Sequence, residues 1–336
     1  MREIAALPWN GYNVVSTFSG CGGSCLGYRM AGFRVLWANE FISAAREVYR
    51  ANASPGSILD ENDIRDVKPE KILEACGLEE GQLDLLDGSP PCAAFSTVGK
   101  REEGWGKVKP YSGTKQRVDD LFFEYVRILR GLKPKVFVAE NVSGLVKGTA
   151  RGYFLLILEA LKECGYRVAC RVLDAHRLGV PQIRQRTIFV GVRENLQLDP
   201  VHPSPLAYVY TVGDAVENVP QPNRSEAKWL TEGSRGLELW RTTQPGDTLG
   251  TKTHYTHIKQ SLDRPANTVL ASSFLYHWEQ PRLLSIPECK RISTFPDDFV
   301  ISGSYGQQWE RIGRAVPPLM MRAIAETVRD QILARC

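Results

Sequence analysis

Six short runs of aliphatic and β-branched residues, at 12–17, 35–38, 83–87, 136–139, 168–173 and 187–192, alternate with longer helical patterns through the first 193 residues. Strands separated by helices can pair only by crossing over, and the expected result is an α/β fold with a doubly wound, mostly parallel sheet. The helical patterns lie near 42–51, 69–76, 119–131 and 152–163. In the third, Leu121, Phe122, Tyr125, Val126 and Leu129 recur at the spacing of one buried helical face. From residue 194 the texture changes: periodicity fades and Pro, Thr, Gln and Gly become frequent, as in RTTQPGDTLGTKTHYTHIKQSLDRPANTVLASS. A second, loop-rich domain is expected there, because one core grows inefficient beyond roughly 250–300 residues and the chain has 336. Over 317–334 the pattern turns helical again, so the segment is expected to pack back on the first domain.

Composition narrows the class without identifying it. Lys and Arg number 42 against 38 Asp and Glu, a formal charge of +4. A balance that small does not by itself imply nucleic acid, since an electrostatic footprint depends on where the basic residues cluster. Apolar stretches are only a few residues long, such as 154–158, whereas a membrane-spanning helix needs about 20. The amino-terminal MREIAALPWNGY has neither the apolar core nor the small-residue cleavage site of a secretory signal, and a cytoplasmic protein with no membrane partner is expected. Eight cysteines (21, 25, 76, 92, 164, 170, 289 and 336) lack the paired spacing of a zinc ribbon. They are read as reduced thiols, one of them available as a nucleophile. His254 and His257 stand three apart without further ligands, so no metal site is expected.

The run 12–17 leads straight into FSGCGGSCLGY, where Gly20, Gly22 and Gly23 let the backbone turn sharply and approach a ligand before a helix begins. The spacing departs from G-x-G-x-x-G, so the loop reads either as a nucleotide-like cofactor site or as a tight strand-to-helix turn. Glu40 follows the second run at about the distance, some 20 residues, where a carboxylate receives ribose hydroxyls; alone, it reads equally as an exposed carboxylate at a helix start. Phe41 is a candidate to stack on adenine, and Asp63 with Ile64 a further adenine contact. After 83–87 comes GSPPCAAFS, in which two prolines stiffen the chain before Cys92. Ligands of open α/β sheets bind outside the carboxyl ends of the strands, so Cys92 would share a crevice with the glycine loop; the alternative is a small core residue. Glu140 and Asn141 end another run, and Gln182, Arg184 and Arg186 precede the last.

Taken in order, FSGCGG, Pro91-Cys92, Glu140-Asn141-Val142, Gln182-x-Arg184-x-Arg186 and Val316-Pro317-Pro318 resemble the DNA cytosine-5 methyltransferase family across nearly the whole chain. ISTFPDDF (292–299) and RPANTV (264–269) resemble further segments of that family. The resemblance implies a cofactor-binding catalytic domain of residues 1–193 with 310–336, a target-recognition domain of 194–282, and a hinge and return segment of 283–309. It implies S-adenosylmethionine as cofactor, double-stranded DNA with a flipped cytosine as partner, and a monomer holding every required part. Cys92 would be the nucleophile that adds to C6, because C5 of cytosine is too weak a nucleophile until the ring becomes an enamine. Glu140 would hydrogen-bond or protonate N3, and Arg184 and Arg186 would steady the base, its phosphate and the carboxylate. The cofactor would touch Phe18, Gly20, Gly22, Gly23, Leu26, Glu40, Phe41, Asp63, Ile64, Leu121, Arg314 and Val316. The substrate would touch Ser96, Arg117, Asn141 and Gln182.

Between Cys92 and Leu121 lies a polar, basic stretch too long for an ordinary connection. It resembles the family's mobile loop that closes over the flipped base; a solvated surface loop is the plainer alternative. Trp229, Trp240, Tyr255, Tyr276 and Trp278 mingle with Arg, Lys, Thr and Gln, either as a surface that reads DNA or as a small core. One position departs from the family: Asn after Gly in the closing motif is replaced by Arg314. In the family that position lies beside the methionine part of the cofactor, and two cations about 4 Å apart repel by about 4 kcal/mol at an effective dielectric near 20. A compensating anion is therefore expected: the methionine carboxylate, a nearby Asp or Glu, or a carboxylate on the transferred carbon. In the last case the donor is carboxy-S-adenosylmethionine and the product 5-carboxymethylcytosine. An RNA cytosine methyltransferase and a catalytically silent DNA-binding regulator are the other readings; the sizeable variable region argues against the first, and the presence of Cys92 and Glu140 against the second.

Overall fold

In a computed structural model of the chain, the described residues are 1–91, 109–111, 114–116, 120–146, 151–250, 257–271 and 274–336. The chain forms two compact units, a sheet unit of residues 2–173, 185–204 and 321–336 and a second unit of residues 1, 174–184 and 205–320.

The sheet unit carries β1 (Asn13–Thr17), β2 (Arg34–Asn39), β3 (Ile58–Asp60), β4 (Leu85–Gly88), a separate antiparallel pair β5 (Lys109–Tyr111) and β6 (Thr114–Gln116), then β7 (Val136–Val142), β8 (Tyr166–Asp174) and β9 (Gln185–Arg193). Its helices are α1 (Arg2–Ala5), α2 (Gly23–Met30), α3 (Ser43–Asn52), α4 (Pro69–Cys76), α5 (Leu121–Leu132) and α6 (Arg151–Glu163). Seven strands form one sheet in the order β3-β2-β1-β4-β7-β9-β8. β1 pairs in parallel with β2 and β4, and β4 with β7, while β9 returns antiparallel to β7. Residues of β4 and most of β7 are buried without alternation, as strands covered on both faces must be. The expected face of α5 is the buried one, packing Leu121, Phe122, Tyr125, Val126 and Leu129 against Val15, Leu86, Phe137 and Phe189. α4 starts on Pro69 and stops at Gly77, whose φ of +64° is the left-handed cap that ends a helix cheaply only at glycine.

This strand order reverses after β3 and again after β8, where β9 inserts beside β7. From β1 the chain adds β2 and β3 on one side, then returns to place β4 on the other. The carboxyl ends of β1 and β4 therefore flank the switch point, where a doubly wound sheet opens a crevice.

The second unit holds α7 (Val212–Val216), α8 (Arg235–Thr242), α9 (Ile286–Ile292) and α10 (Tyr305–Arg314), with a parallel pair β10 (His257–Lys259) and β11 (Phe274–Tyr276). α11 (Pro318–Gln331) follows and runs across the division. Leu249, Tyr276 and Leu283 form a small core with Leu230, Leu239 and Trp240. Nearby, Arg282, 1% exposed, donates to both oxygens of Glu288 at 2.8 and 2.7 Å. Burial, reinforced by the charge of Arg282, lowers His277 to about 4, so its neutral ring accepts from the main-chain N–H groups of Glu279 and Gln280. Gly313 allows α10 to approach the main chain of 270–271: a Cβ there would stand 2.6 Å from the nitrogen of Ala271. Gly313→Ala is therefore expected to lower stability by roughly 1–3 kcal/mol, read from urea unfolding; an unchanged midpoint would mean that this backbone yields freely.

Candidate active site

At the end of β1 the chain adopts left-handed geometry three times, at Phe18 (φ +54°), Gly20 (+57°) and Gly22 (+92°), before α2 begins at Gly23. A non-glycine residue held there is strained, and such strain concentrates at ligand sites. The amide of Gly20 donates to Glu40 Oε2 at 2.8 Å, and that of Ile42 to Oε1 at 2.6 Å. The carboxylate of Glu40, 8% exposed at the end of β2, thus ties the two strand ends together. Phe41 beside it is exposed. Asp63 follows β3 and is ion-paired with Arg65, which also reaches Asp120. Leu26, Ile64 and Leu121 are buried, at 1%, 3% and 3% exposure, and Ile64 and Leu121 belong to the core under the sheet. The carboxyl edge of β1, β2 and β3 thus brings together Phe18, Gly20, Gly22, Gly23, Glu40, Phe41 and Asp63.

β4 feeds the Pro90-Pro91 turn, and Asn141 Nδ2 donates to the carbonyl of Pro90 at 3.2 Å. Asn141 therefore steadies the backbone immediately before Cys92. Cys92, Ser96 and Arg117 lie outside the described residues. Glu140 sits one residue earlier on β7 and meets Arg186 Nε at 2.7 Å. Antiparallel pairing explains the contact: Val142 is opposite Arg186 and Glu140 opposite Ile188, so Glu140 and Arg186 are diagonal neighbours on one face.

One group was not singled out from the sequence. Asp87 on β4 is 1% exposed, and its carboxylate accepts from Ser16 Oγ at 2.8 Å and Tyr28 OH at 3.1 Å. Burial pushes it up to about 7, against the two hydroxyls that favour the charged form; the charge of Glu140 adds to the rise. The stability linked to Asp87 is complete below its unfolded value near 4 and is lost as pH rises towards 7, a cost on the order of 4 kcal/mol. The signal available in the sequence was a pair of aspartates, Asp84 and Asp87, inside the strand run LDLLDG.

The Gln-x-Arg-x-Arg run is divided, Arg186 lying in the sheet unit and Gln182 and Arg184 in the second. Arg184 is 2% exposed and donates to the carbonyls of Val269, Gly313 and Ala315 at 2.9–3.0 Å. Gln182 donates to Ser293 Oγ and accepts from the amide of Val269. These two side chains knot together three segments that sequence reading had kept apart, around 182–184, 266–269 and 313–315. Val316 is buried beyond them. Arg314 Nε meets Glu310 Oε1 at 2.8 Å, one turn earlier on α10. Of the aromatic residues, Tyr276 and Trp240 join the small core and Trp278 stacks on His277. Trp229 stays exposed, within 5.8 Å of the Arg282 guanidinium; Tyr255 and His254 lie outside the described residues.

A family model described as C-5 cytosine-specific DNA methylase matches residues 12–330. Two relatives, the Type II methyltransferases M.NgoFVII of Neisseria gonorrhoeae and M1.HphI of Haemophilus parahaemolyticus, are 32% and 31% identical, each across 94% of this chain and 86% of the relative. Among solved structures, an E. coli prophage-encoded protein described as a DNA modification methyltransferase aligns with a TM-score of 0.77 at 22% identity, covering 96% of this chain and 100% of that one. A Spodoptera frugiperda DNMT2 variant aligns at 0.67 with 17% identity, covering 95% and 99%. Both are likenesses of fold.

Proposed function

The chain belongs to the C-5 cytosine-specific DNA methylase family and is a DNA cytosine-5 methyltransferase, and we propose that it acts by covalent catalysis from Cys92 on a cytosine flipped out of duplex DNA. The observation that carries this reading is the placement of the Glu140–Arg186 pair and the Asn141-braced Pro90 turn beside the glycine loop, at one end of adjacent strands.

The loop fits the donor S-adenosylmethionine. A Cβ added at Gly20 would meet nothing within 4 Å, so the backbone there faces open space, with a carboxylate and an exposed aromatic ring at the next strand end. When bound, the donor supplies an electrophilic methyl group. Glu40 would take the ribose hydroxyls, Phe41 the adenine face and Asp63 its edge. Since a hydrogen bond to a charged group contributes about 1.5–3 kcal/mol, Glu40→Ala is expected to weaken donor binding by ~10–100-fold. Calorimetry without DNA measures this, and an unchanged Kd would remove Glu40 from the site.

Flipping the base costs a few kcal/mol of unstacking, offset by protein contacts. The Cys92 thiolate then adds to C6 while Glu140 delivers a hydrogen bond or proton to N3, so that C5 gains enamine character without negative charge building on the ring. Arg186 holds the Glu140 carboxylate in place. Once C5 carries the methyl group, loss of its proton and departure of Cys92 restore the aromatic ring. Arg184 acts within the second unit as a brace of main-chain carbonyls. Residues 194–282, most of them in the second unit and with Trp229 exposed, are the proposed reader of the DNA sequence, and the basic stretch after Cys92 the proposed lid. Modification of DNA within a restriction-modification system is the corresponding biological role.

Glu310, shared with Arg311, supplies an anion beside Arg314, which favours an ordinary methyl donor over carboxy-S-adenosylmethionine. The decisive experiment incubates purified enzyme with each donor and with DNA or RNA, then analyses nucleosides by mass spectrometry. 5-Methylcytosine in DNA is expected. 5-Carboxymethylcytosine, modified RNA alone, or no product would each replace this reading with one of its rivals.

A further inference from the structure

A buried line of polar groups runs beneath the glycine loop. Ser16 and Asp87 are register partners on β1 and β4, and the hydroxyl of Ser16 donates to Asp87 Oδ2 at 2.8 Å. Ser19, inside the loop itself, places its hydroxyl 3.1 Å from both the oxygen of the Ser16 side chain and the Ser16 carbonyl. Tyr28 of α2 donates to the other carboxylate oxygen, and Thr17 Oγ1 to the Asp87 carbonyl. One step along β4 there is no spare room, because a Cβ at Gly88 would fall 2.5 Å from the Tyr125 ring and 2.6 Å from Thr17 Oγ1. The strand end that leads to Pro90-Pro91 and the loop that receives the donor are thus joined through one carboxylate.

We propose that Asp87 is a positioning residue whose ionised carboxylate, acting through Ser16 and Ser19, sets the glycine loop in its donor-binding geometry, so that ionisation of Asp87 tightens donor binding. The proposal rests on reading the loop as the donor site. Both oxygens of the ionised form are strong acceptors, one for each hydroxyl. Protonation makes one of them a weak acceptor that carries its own hydrogen, so the bond made there weakens or reverses and the chain to Ser19 loses its fixed direction.

The groups facing Asp87 leave it as the one poised to change near neutrality. On α2, burial raises Tyr28 far above its ordinary range and Cys25 to about 11, with Asp87's own charge adding to both. On α5, burial likewise raises Tyr125. Those three stay neutral at pH 7, and Glu140 on β7 opposes the ionisation of Asp87 by its charge. A carboxylate that costs the fold stability as it ionises, yet sits between two functional loops, has the character of a tuned site group.

The test is calorimetric titration of S-adenosylmethionine into the full-length protein without DNA, from pH 5.5 to 8.5. Wild-type affinity is expected to rise about tenfold across a midpoint near pH 7, the equivalent of one linked unit of ionisation. Asp87→Asn should lose that rise and bind about tenfold more weakly than wild type at pH 8, with an unchanged far-UV spectrum. Tyr28→Phe leaves the carboxylate and the Ser16–Ser19 route in place but removes a hydroxyl that favours the charged form, so its midpoint should move to higher pH. A merely structural role would not move a midpoint. Titration of the donor's own amino group is common to all three proteins and cancels in the comparison. A pH dependence in Asp87→Asn parallel to wild type, or equal affinity at pH 8, would overturn the proposal; should Asp87→Asn not fold, an unmoved midpoint in Tyr28→Phe does the same. Because binding is read without DNA, the outcome is separate from whether cytosine is methylated.

Discussion

Cys92→Ser is expected to reduce turnover by at least about a thousandfold, because a serine hydroxyl is scarcely ionised at neutral pH and the attack on C6 requires an anionic nucleophile. Two measurements check it. Single-turnover methylation of duplex DNA should become undetectable on the wild-type timescale. DNA carrying 5-fluorocytosine, from which the final proton cannot be removed, should form a denaturation-resistant adduct with wild type and none with the variant. Donor affinity should be unchanged, because the glycine loop and Glu40 are intact. A Cys92→Ser enzyme with full turnover would end the covalent mechanism, whatever else remained of the site.

Glu140→Gln should lower kcat by about 100-fold to 10,000-fold, the span a positioned general acid contributes. The amide keeps the shape and can still donate to a ring nitrogen, but it carries no transferable proton. It also removes one half of the 2.7 Å pair with Arg186, leaving a cation where a neutralised pair had been. The loss is expected in kcat and in the rate of adduct formation, with KM for the donor nearly constant. Should the variant lose donor binding instead, Glu140 would be holding the loop rather than activating the base.

The strand–helix alternation was legible because each central strand of a parallel sheet is an uninterrupted apolar run, as in residues 136–139, and each covering helix shows a stripe, as in α5. The three-residue strand β3 was too short to register. Helices α8 and α10 were also missed, though Ser234 and Ser304 stand at their starts, since their surroundings read as loop. The proposed site rests on residue types that announce their chemistry: a cysteine behind two prolines, a carboxylate at a strand end, glycines after a strand. It was illegible where function depends on a partner distant in sequence. Ser16 gives no hint that its hydroxyl meets a carboxylate 71 positions away, and the two arginines of the Gln-x-Arg-x-Arg run look equivalent until one is seen on Glu140 and the other on main-chain carbonyls.

What the chain alone determined is the set of local instructions: the hydrophobic periods that build the sheet, the family motifs in their order, and the side chains proposed to attack, protonate and bind. Those depend on neighbours along the backbone. Tertiary structure decided which of them meet. The reversal of strand order after β3 puts the ends of β1 and β4 side by side, and antiparallel β9 delivers Arg186 to Glu140. It also decided that Asp87 is buried deeply enough for its ionisation to fall near neutrality. That outcome comes from desolvation by elements remote in sequence, which no local pattern encodes.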